Sequence, residues 1–131
     1  MASILKVDTL TGVTTAGSIS VTGEGNSTTT NLQQGLAKSW IKYGTGHTID
    51  DSFQVSSLTD QQTGVGRVTF SNAMSNADYA FGNNSQAAST NTGKSIACAN
   101  PTTALYDIET YENDSVADSN RVSAVTFGDL A

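Results

Sequence analysis

The stretch that decides the fold is residues 51–74, DSFQVSSLTDQQTGVGRVTFSNAM. It contains two short runs in which apolar and polar residues alternate, with Phe53 and Val55 in the first and Val68 and Phe70 in the second. A period of two is typical of half-buried β-strands and does not fit an amphipathic helix. All four residues are therefore predicted to be core positions on two antiparallel strands.

The residues between these runs are predicted to form a turn. Residues 58–66, LTDQQTGVG, are mostly polar and contain Gly64 and Gly66, which can adopt a positive φ. A moderately long turn at this position would join the two strands into a hairpin.

Similar short apolar runs recur over the rest of residues 39–131, separated by turn-forming Gly, Asn, Asp and Pro. The further predicted strands are residues 39–43, 78–81, Lys94–Ala99, 104–111 and Arg121–Phe127. Trp40, the only tryptophan, is predicted to anchor the core from the first of them. Six or seven short strands predict an all-β fold, an antiparallel β-sandwich or jelly-roll-like domain.

Residues 1–38 have a different composition, with few large apolar side chains spread among Thr, Ser and Gly. Burying one aliphatic side chain stabilises by about 1.5–3 kcal/mol, whereas ordering each residue costs about 1–2 kcal/mol. The segment is therefore predicted to be an extended N-terminal attachment arm that needs a partner to become ordered. Contacts with a carrier or a neighbouring subunit are predicted at Ile4, Leu5, Val7 and Leu10.

Charge and hydropathy exclude two classes of partner. The chain has 131 residues and a net charge of -6, with only six scattered Lys and Arg, whereas binding nucleic acid requires clustered basic residues. The N-terminus lacks the basic and apolar regions of a signal peptide, and no apolar run reaches transmembrane length. We therefore expect no nucleic-acid binding and no membrane insertion.

The residue types needed for catalysis are sparse, and no catalytic, cofactor-binding or metal-binding residue is predicted. The only histidine, His47, lies in a Gly-rich stretch and is predicted to be an exposed loop residue. The only cysteine, Cys98, alternates with Ile96 and is predicted to be a buried small side chain rather than a reactive thiol. Residues 112–120 carry oxygen ligands that could suit a cation, but without EF-hand spacing. A non-enzymatic protein is expected.

Five segments carry a resemblance to a known class of proteins. They are residues 2–10 (ASILKVDTL), 40–43 (WIKY), 49–60 (IDDSFQVSSLTD), 64–70 (GVGRVTF) and 77–80 (ADYA). Together they resemble tail-fibre and virion-surface proteins of marine and cyanobacterial bacteriophages, within residues 1–10 and 40–80. The resemblance implies a virion structural protein, usually a β-rich homotrimer, made in the host cytoplasm and attached through its N-terminus.

The long shaft of many such fibres is missing here, which favours a short capsid-decorating (cement) protein. Its partners would be further copies of itself and the major capsid protein or another virion protein. The alternative is a tail-fibre or head-fibre tip that binds a host receptor or a host-surface glycan. A third hypothesis, an enzyme that cuts polysaccharide, would need two carboxylates facing each other in a groove.

Overall fold

The computed structural model describes residues 4–13, 18–23, 29–86 and 94–130, and its regular elements are almost all β-strands. The strands are β1 Ser20–Thr22, β2 Thr29–Asn31, β3 Ser39–Gly44, β4 Thr48–Phe53, β5 Val55–Gln62, β6 Val65–Phe70, β7 Ala80–Gln86, β8 Lys94–Ala99, β9 Leu105–Glu112, β10 Ser115–Val116 and β11 Arg121–Phe127. A four-residue helix, α1, spans Leu32–Gly35, and a 3-10 turn spans Thr45–His47.

The chain divides into two units, Met1–Leu36 and Ala37–Ala131. The division lies two residues before the predicted arm boundary, because Lys38 belongs to the second unit. The Lys38 side chain is buried, and its backbone N–H donates to the carbonyl oxygen of Thr126 at 2.8 Å.

Two short strands pair in the described part of the first unit. β1 and β2 pair antiparallel from Ser20–Asn31 to Thr22–Thr29. The helix α1 that follows has an N-cap, since the Asn31 side chain accepts a hydrogen bond from the Gln34 N–H at 3.1 Å. Residues 4–13 contain no helix or strand.

The second unit is built from two antiparallel sheets. One has four strands in the order β4-β3-β11-β7. The other has the order β5-β6-β9, with β8 and the short β10 both pairing with β9. The prediction of an all-β, antiparallel sandwich is confirmed.

The core lies between the two sheets and is rich in aromatic rings. Tyr106 is fully buried at its centre, with ring centroids 4.8 Å from Phe81 and 5.4 Å from Phe70. The buried cluster comprises Ile41, Tyr43, Val68, Phe70, Met74, Tyr79, Tyr106, Ile108, Val122 and Ala124. Val68 and Phe70 were predicted as core residues, whereas Met74, in a loop, was not.

The stretch that decides the fold departs from its prediction at Gln54. This residue has a φ of 58°, and there the chain leaves β4 in one sheet and enters β5 in the other. Phe53 and Val55 therefore do not share a face. Val55 packs against the core, but Phe53 is 48% exposed, so its prediction as a core anchor is wrong.

The turn of the central hairpin is also shorter than predicted. β5 continues through Asp60 and Gln62, and only Thr63 and Gly64 separate it from β6. Gly64 has a φ of 73°, which glycine adopts without steric cost, and the strand register shifts by one residue between Asp60 and Gln62. The polar residues after Leu58 are thus exposed strand positions rather than loop.

The prediction of Trp40 as a core anchor is wrong as well. In β3 the buried positions are Ser39, Ile41 and Tyr43, so alternation points Trp40 to the opposite side of the sheet. There it is half-buried, and its neighbour Ile41 occupies the core.

Candidate functional site: the outer face of the four-stranded sheet

The most distinctive surface of the second unit is the side of the four-stranded sheet that points away from the core, here called the outer face. Strand register places its residues in rows across the sheet. The first row is Phe53, Trp40, Val125 and Gly82, and the second is Asp51, Lys42, Ser123 and Asn84. Beside the first row, Phe127 pairs with Ala80.

The first row is apolar although it faces solvent. Phe53 and Phe127 are both more than one-third exposed, and Trp40 and Val125 are half-buried. Gly82 leaves space beside them, where a Cβ would lie 3.1 Å from Cγ1 of Val125. The result is an open depression of about 470 Å³, whose lining includes Trp40, Lys42, Gly82, Asn84, Ser123 and Val125.

The second row supplies polar groups that the described part of the chain leaves unused. The side chains of Lys42, Ser123 and Asn84 make no hydrogen bond or ion pair with any described residue. Asp51 uses one carboxylate oxygen, which accepts a hydrogen bond from the Ser52 N–H at 2.9 Å. Donors and acceptors therefore border the apolar row along one side.

The outward side of the other sheet shows the opposite arrangement. Arg67 donates two hydrogen bonds to the Asp107 carboxylate, at 2.8 and 2.9 Å, and Asn100 donates a third at 2.9 Å. The Tyr111 hydroxyl donates to the Glu109 carboxylate. These polar groups satisfy one another. Among the described residues of the second unit, only the four-stranded sheet presents an apolar row with unused polar neighbours.

The pair formed by Arg67 and the buried Asp107 carboxylate leads to a pH prediction. The Arg67 hydrogen bonds hold the pKa of the Asp107 carboxyl below its usual value. A lowered folded pKa contributes stability above the unfolded pKa, and this contribution is lost as pH falls through the folded value. Urea unfolding should therefore show a loss of stability below about pH 4. The Asp107→Asn variant should be less stable at neutral pH and lose less on acidification; equal losses for both proteins would contradict the prediction.

The two residues considered for catalysis lie away from the outer face. Cys98 points into the sandwich, and burial raises its pKa to about 12, which keeps the thiol protonated. His47 is not the exposed loop residue that was predicted, since its side chain is only 8% exposed and stacks on Tyr43. Its Nδ1 lies 3.5 Å from the Asp60 carboxylate.

The acidic segment 112–120 has a structural role. Asn113 and Asp114 have φ values of 50° and 63° and form the two-residue turn between β9 and β10. Asp118 accepts a hydrogen bond from the Gly64 N–H at 2.6 Å. Within the described ranges, no three His, Cys, Asp or Glu residues are grouped so that they could hold a metal ion.

The predicted attachment residues are all exposed in the first unit. Ile4, Leu5, Val7 and Leu10 have exposures between 56% and 81%. In the part of the chain that the structure describes, no helix is long and apolar enough to span a membrane.

No protein-family model, curated protein or solved structure matches the chain.

Proposed function

We propose that this chain is a non-enzymatic structural protein of a bacteriophage virion, which decorates and cements the capsid surface as a homotrimer. The observation that carries the proposal is the exposure of the four aliphatic side chains in residues 4–10, in a chain whose second unit has its own closed core. The resemblance of residues 2–10 to the N-termini of virion-surface proteins supports the same role.

The physical argument is that such a segment is stabilised only by binding. Burying Ile4, Leu5, Val7 and Leu10 against a partner would contribute about 1.5–3 kcal/mol each. In a closed ring of identical subunits, each copy buries its arm against one neighbour and binds the arm of another. All arms are then buried, and assembly stops at the closed ring. The number three follows from the resemblance. The second partner of the arm is the capsid surface.

Imaging of particles tests the virion role directly. Antibodies against residues 37–131 should label virions of the phage that encodes the chain at many symmetric positions on the capsid. Labelling confined to the tail would replace the cement role with a fibre role, and unlabelled particles would rule out both.

Removing the arm should separate attachment from folding. Residues 37–131 contain the buried cluster and both sheets of the sandwich, so this fragment is expected to stay folded by circular dichroism and to unfold cooperatively in urea. Light scattering should report a trimer for the full chain and a monomer for the fragment, and the fragment should fail to bind particles. A fragment that binds particles as well as the full chain would show that the arm is not the anchor.

A matched pair of full-length variants refines this test. Replacing Ile4, Leu5, Val7 and Leu10 by Ser should abolish trimers and particle binding without changing the unfolding midpoint of the sandwich. The control replaces the polar residues between them, Lys6→Ser with Asp8→Ser, and should behave as the parent chain. Equal effects of the two variants would point to arm composition rather than to aliphatic contacts.

A further inference from the structure

The outer face combines a half-buried aromatic side chain, Trp40, with a depression of the size of a small-ligand site. Trp40 borders the space above Gly82, and the volume of about 470 Å³ lies within the range of about 300–1,000 Å³ typical of small-molecule pockets. The single tryptophan of the chain is therefore placed where an apolar ligand surface can pack against it.

Polar groups with free hydrogen-bonding capacity lie one row away. Side chains two residues apart along a strand are about 7 Å apart, so Lys42 and Ser123 lie within reach of a ligand that packs on Trp40. Asn84 adds an amide that both donates and accepts. The outer face therefore suits a ligand that is apolar on one side and carries hydroxyl groups along its edge.

The charge of the outer face favours an uncharged ligand. Lys42 and Asp51 are opposite each other in register, and the next charged residues, Arg121 and Asp50, again include one of each sign. The face is thus locally neutral in a chain with a net charge of -6. An anionic ligand would be repelled by the whole chain and would find no excess of cations here.

The surface formed by the two rows is too small for a stable contact with a second copy. Across four strands, with about 4.8 Å between strands and about 7 Å between rows, it covers on the order of 300 Å². A specific protein–protein interface needs about 800 Å² per partner.

From these observations we propose that the outer face is a binding site for uncharged carbohydrate. The C–H face of a pyranose ring packs on the Trp40 indole above Gly82, and the ring hydroxyls bind Lys42, Ser123 and Asn84. Sugar hydroxyls both donate and accept, so a border that mixes donors and acceptors fits them. The inference concerns the outer face alone and is independent of the virion role.

Tryptophan fluorescence of the full-length protein tests this inference, because Trp40 is its only tryptophan. The probes are soluble neutral oligosaccharides of glucose, galactose, mannose and N-acetylglucosamine, with alginate as the acidic comparison. At least one neutral probe should change the emission saturably at millimolar concentration or below. No response to any neutral probe, or tighter binding of alginate, would overturn the inference.

Variants measured by calorimetry then locate the site. Gly82→Leu fills the depression and Trp40→Ala removes the stacking surface, and each should weaken binding by about tenfold or more. If either of these two variants fails to fold, Lys42→Ala and Asn84→Ala replace it in the test, because both residues lie on the surface. Each of them should also weaken binding. The control Thr59→Ala, exposed on the other sheet, should bind as the parent does. Unchanged binding in all folded outer-face variants would place the site elsewhere, and loss of the native oligomer in Trp40→Ala would make the face a subunit interface instead.

Discussion

Replacing Gly64 by alanine is expected to destabilise the sandwich by about 3 kcal/mol or more. Gly64 has a φ of 73°, a conformation that costs a residue with a Cβ about 1–2 kcal/mol. In addition, the new Cβ would lie 2.6 Å from the Ala117 nitrogen and 2.9 Å from the Thr110 oxygen.

Displacing these two neighbouring atoms is energetically unfavourable, because both belong to hydrogen-bonded backbone. The Ala117 N–H donates to the Thr110 oxygen at 2.9 Å, and the Thr110 N–H donates to the Gly64 oxygen at 2.8 Å. Relieving the clash would break the contact between the β5–β6 turn and the β9–β10 hairpin. Urea unfolding measured by circular dichroism gives the loss of stability.

Gly46→Ala is the matched control for this prediction. Gly46 has nearly the same φ, 71°, but a Cβ there would meet no atom within 4 Å. Its substitution should therefore lower the free energy of unfolding only by the cost of a positive φ, about 1–2 kcal/mol. Equal losses for the two variants would mean that the contact with Ala117 is not rigid.

Truncating Tyr106 to alanine is the second large effect, expected to cost about 3–5 kcal/mol. The ring is fully buried and contacts Phe70, Tyr79 and Phe81, with centroid distances of 5.4, 6.3 and 4.8 Å. Its loss would leave a cavity at the centre of the aromatic cluster, bordered by both sheets. Thermal and urea unfolding measure this cost, and a loss below about 2 kcal/mol would show that the surrounding rings collapse into the space.

The Tyr106 hydroxyl makes a sharper test possible. It is buried and has no hydrogen-bond partner among the described residues, so Tyr106→Phe should be neutral or stabilise by about 1 kcal/mol. The comparison is Tyr79→Phe, because the Tyr79 hydroxyl donates to the carbonyl oxygens of Thr102 and Leu105, at 3.0 and 3.1 Å. That variant should lose about 1 kcal/mol. The same chemical change is therefore expected to destabilise the protein at Tyr79 but not at Tyr106.

The fold class could be predicted from the sequence because alternation and turn residues are local signals. β8 and β11 were predicted with the bounds that the structure has, since each run has a clear polar boundary. Val68 and Phe70 point inward as their spacing indicates. Local patterns are sufficient where a strand remains in one sheet and has one apolar side.

The errors arise where the outcome depends on residues distant in sequence. Trp40 and Ile41 are adjacent and both apolar, and only the opposing sheet decides which of them is buried. His47 is buried because Gly66, on another strand, leaves space for its ring: a Cβ on Gly66 would lie 2.6 Å from the imidazole. A positive φ at a glutamine, as at Gln54, has no sequence signal.

The outer face could not be predicted for the same reason. Its first row brings together Trp40, Phe53, Gly82 and Val125, which come from four different strands. The strand predicted at residues 78–81 ends before Gly82 and Asn84, although both residues form part of β7. The site exists only through strand register, which a single sequence does not show.

The passage of the chain from one sheet to the other at Gln54 has a consequence for how the domain opens. One residue joins the edge strands of both sheets, and it is held in place because its carbonyl accepts from the Ser71 N–H at 3.0 Å and its side chain accepts from Asn72 at 2.6 Å. Fraying of β4 therefore displaces the start of β5. The hydrogen bonds between β4 and β3 cannot break without straining those between β5 and β6, and the reverse is also true. The two sheets should exchange their slowest amide protons with one common opening free energy, as a single cooperative unit.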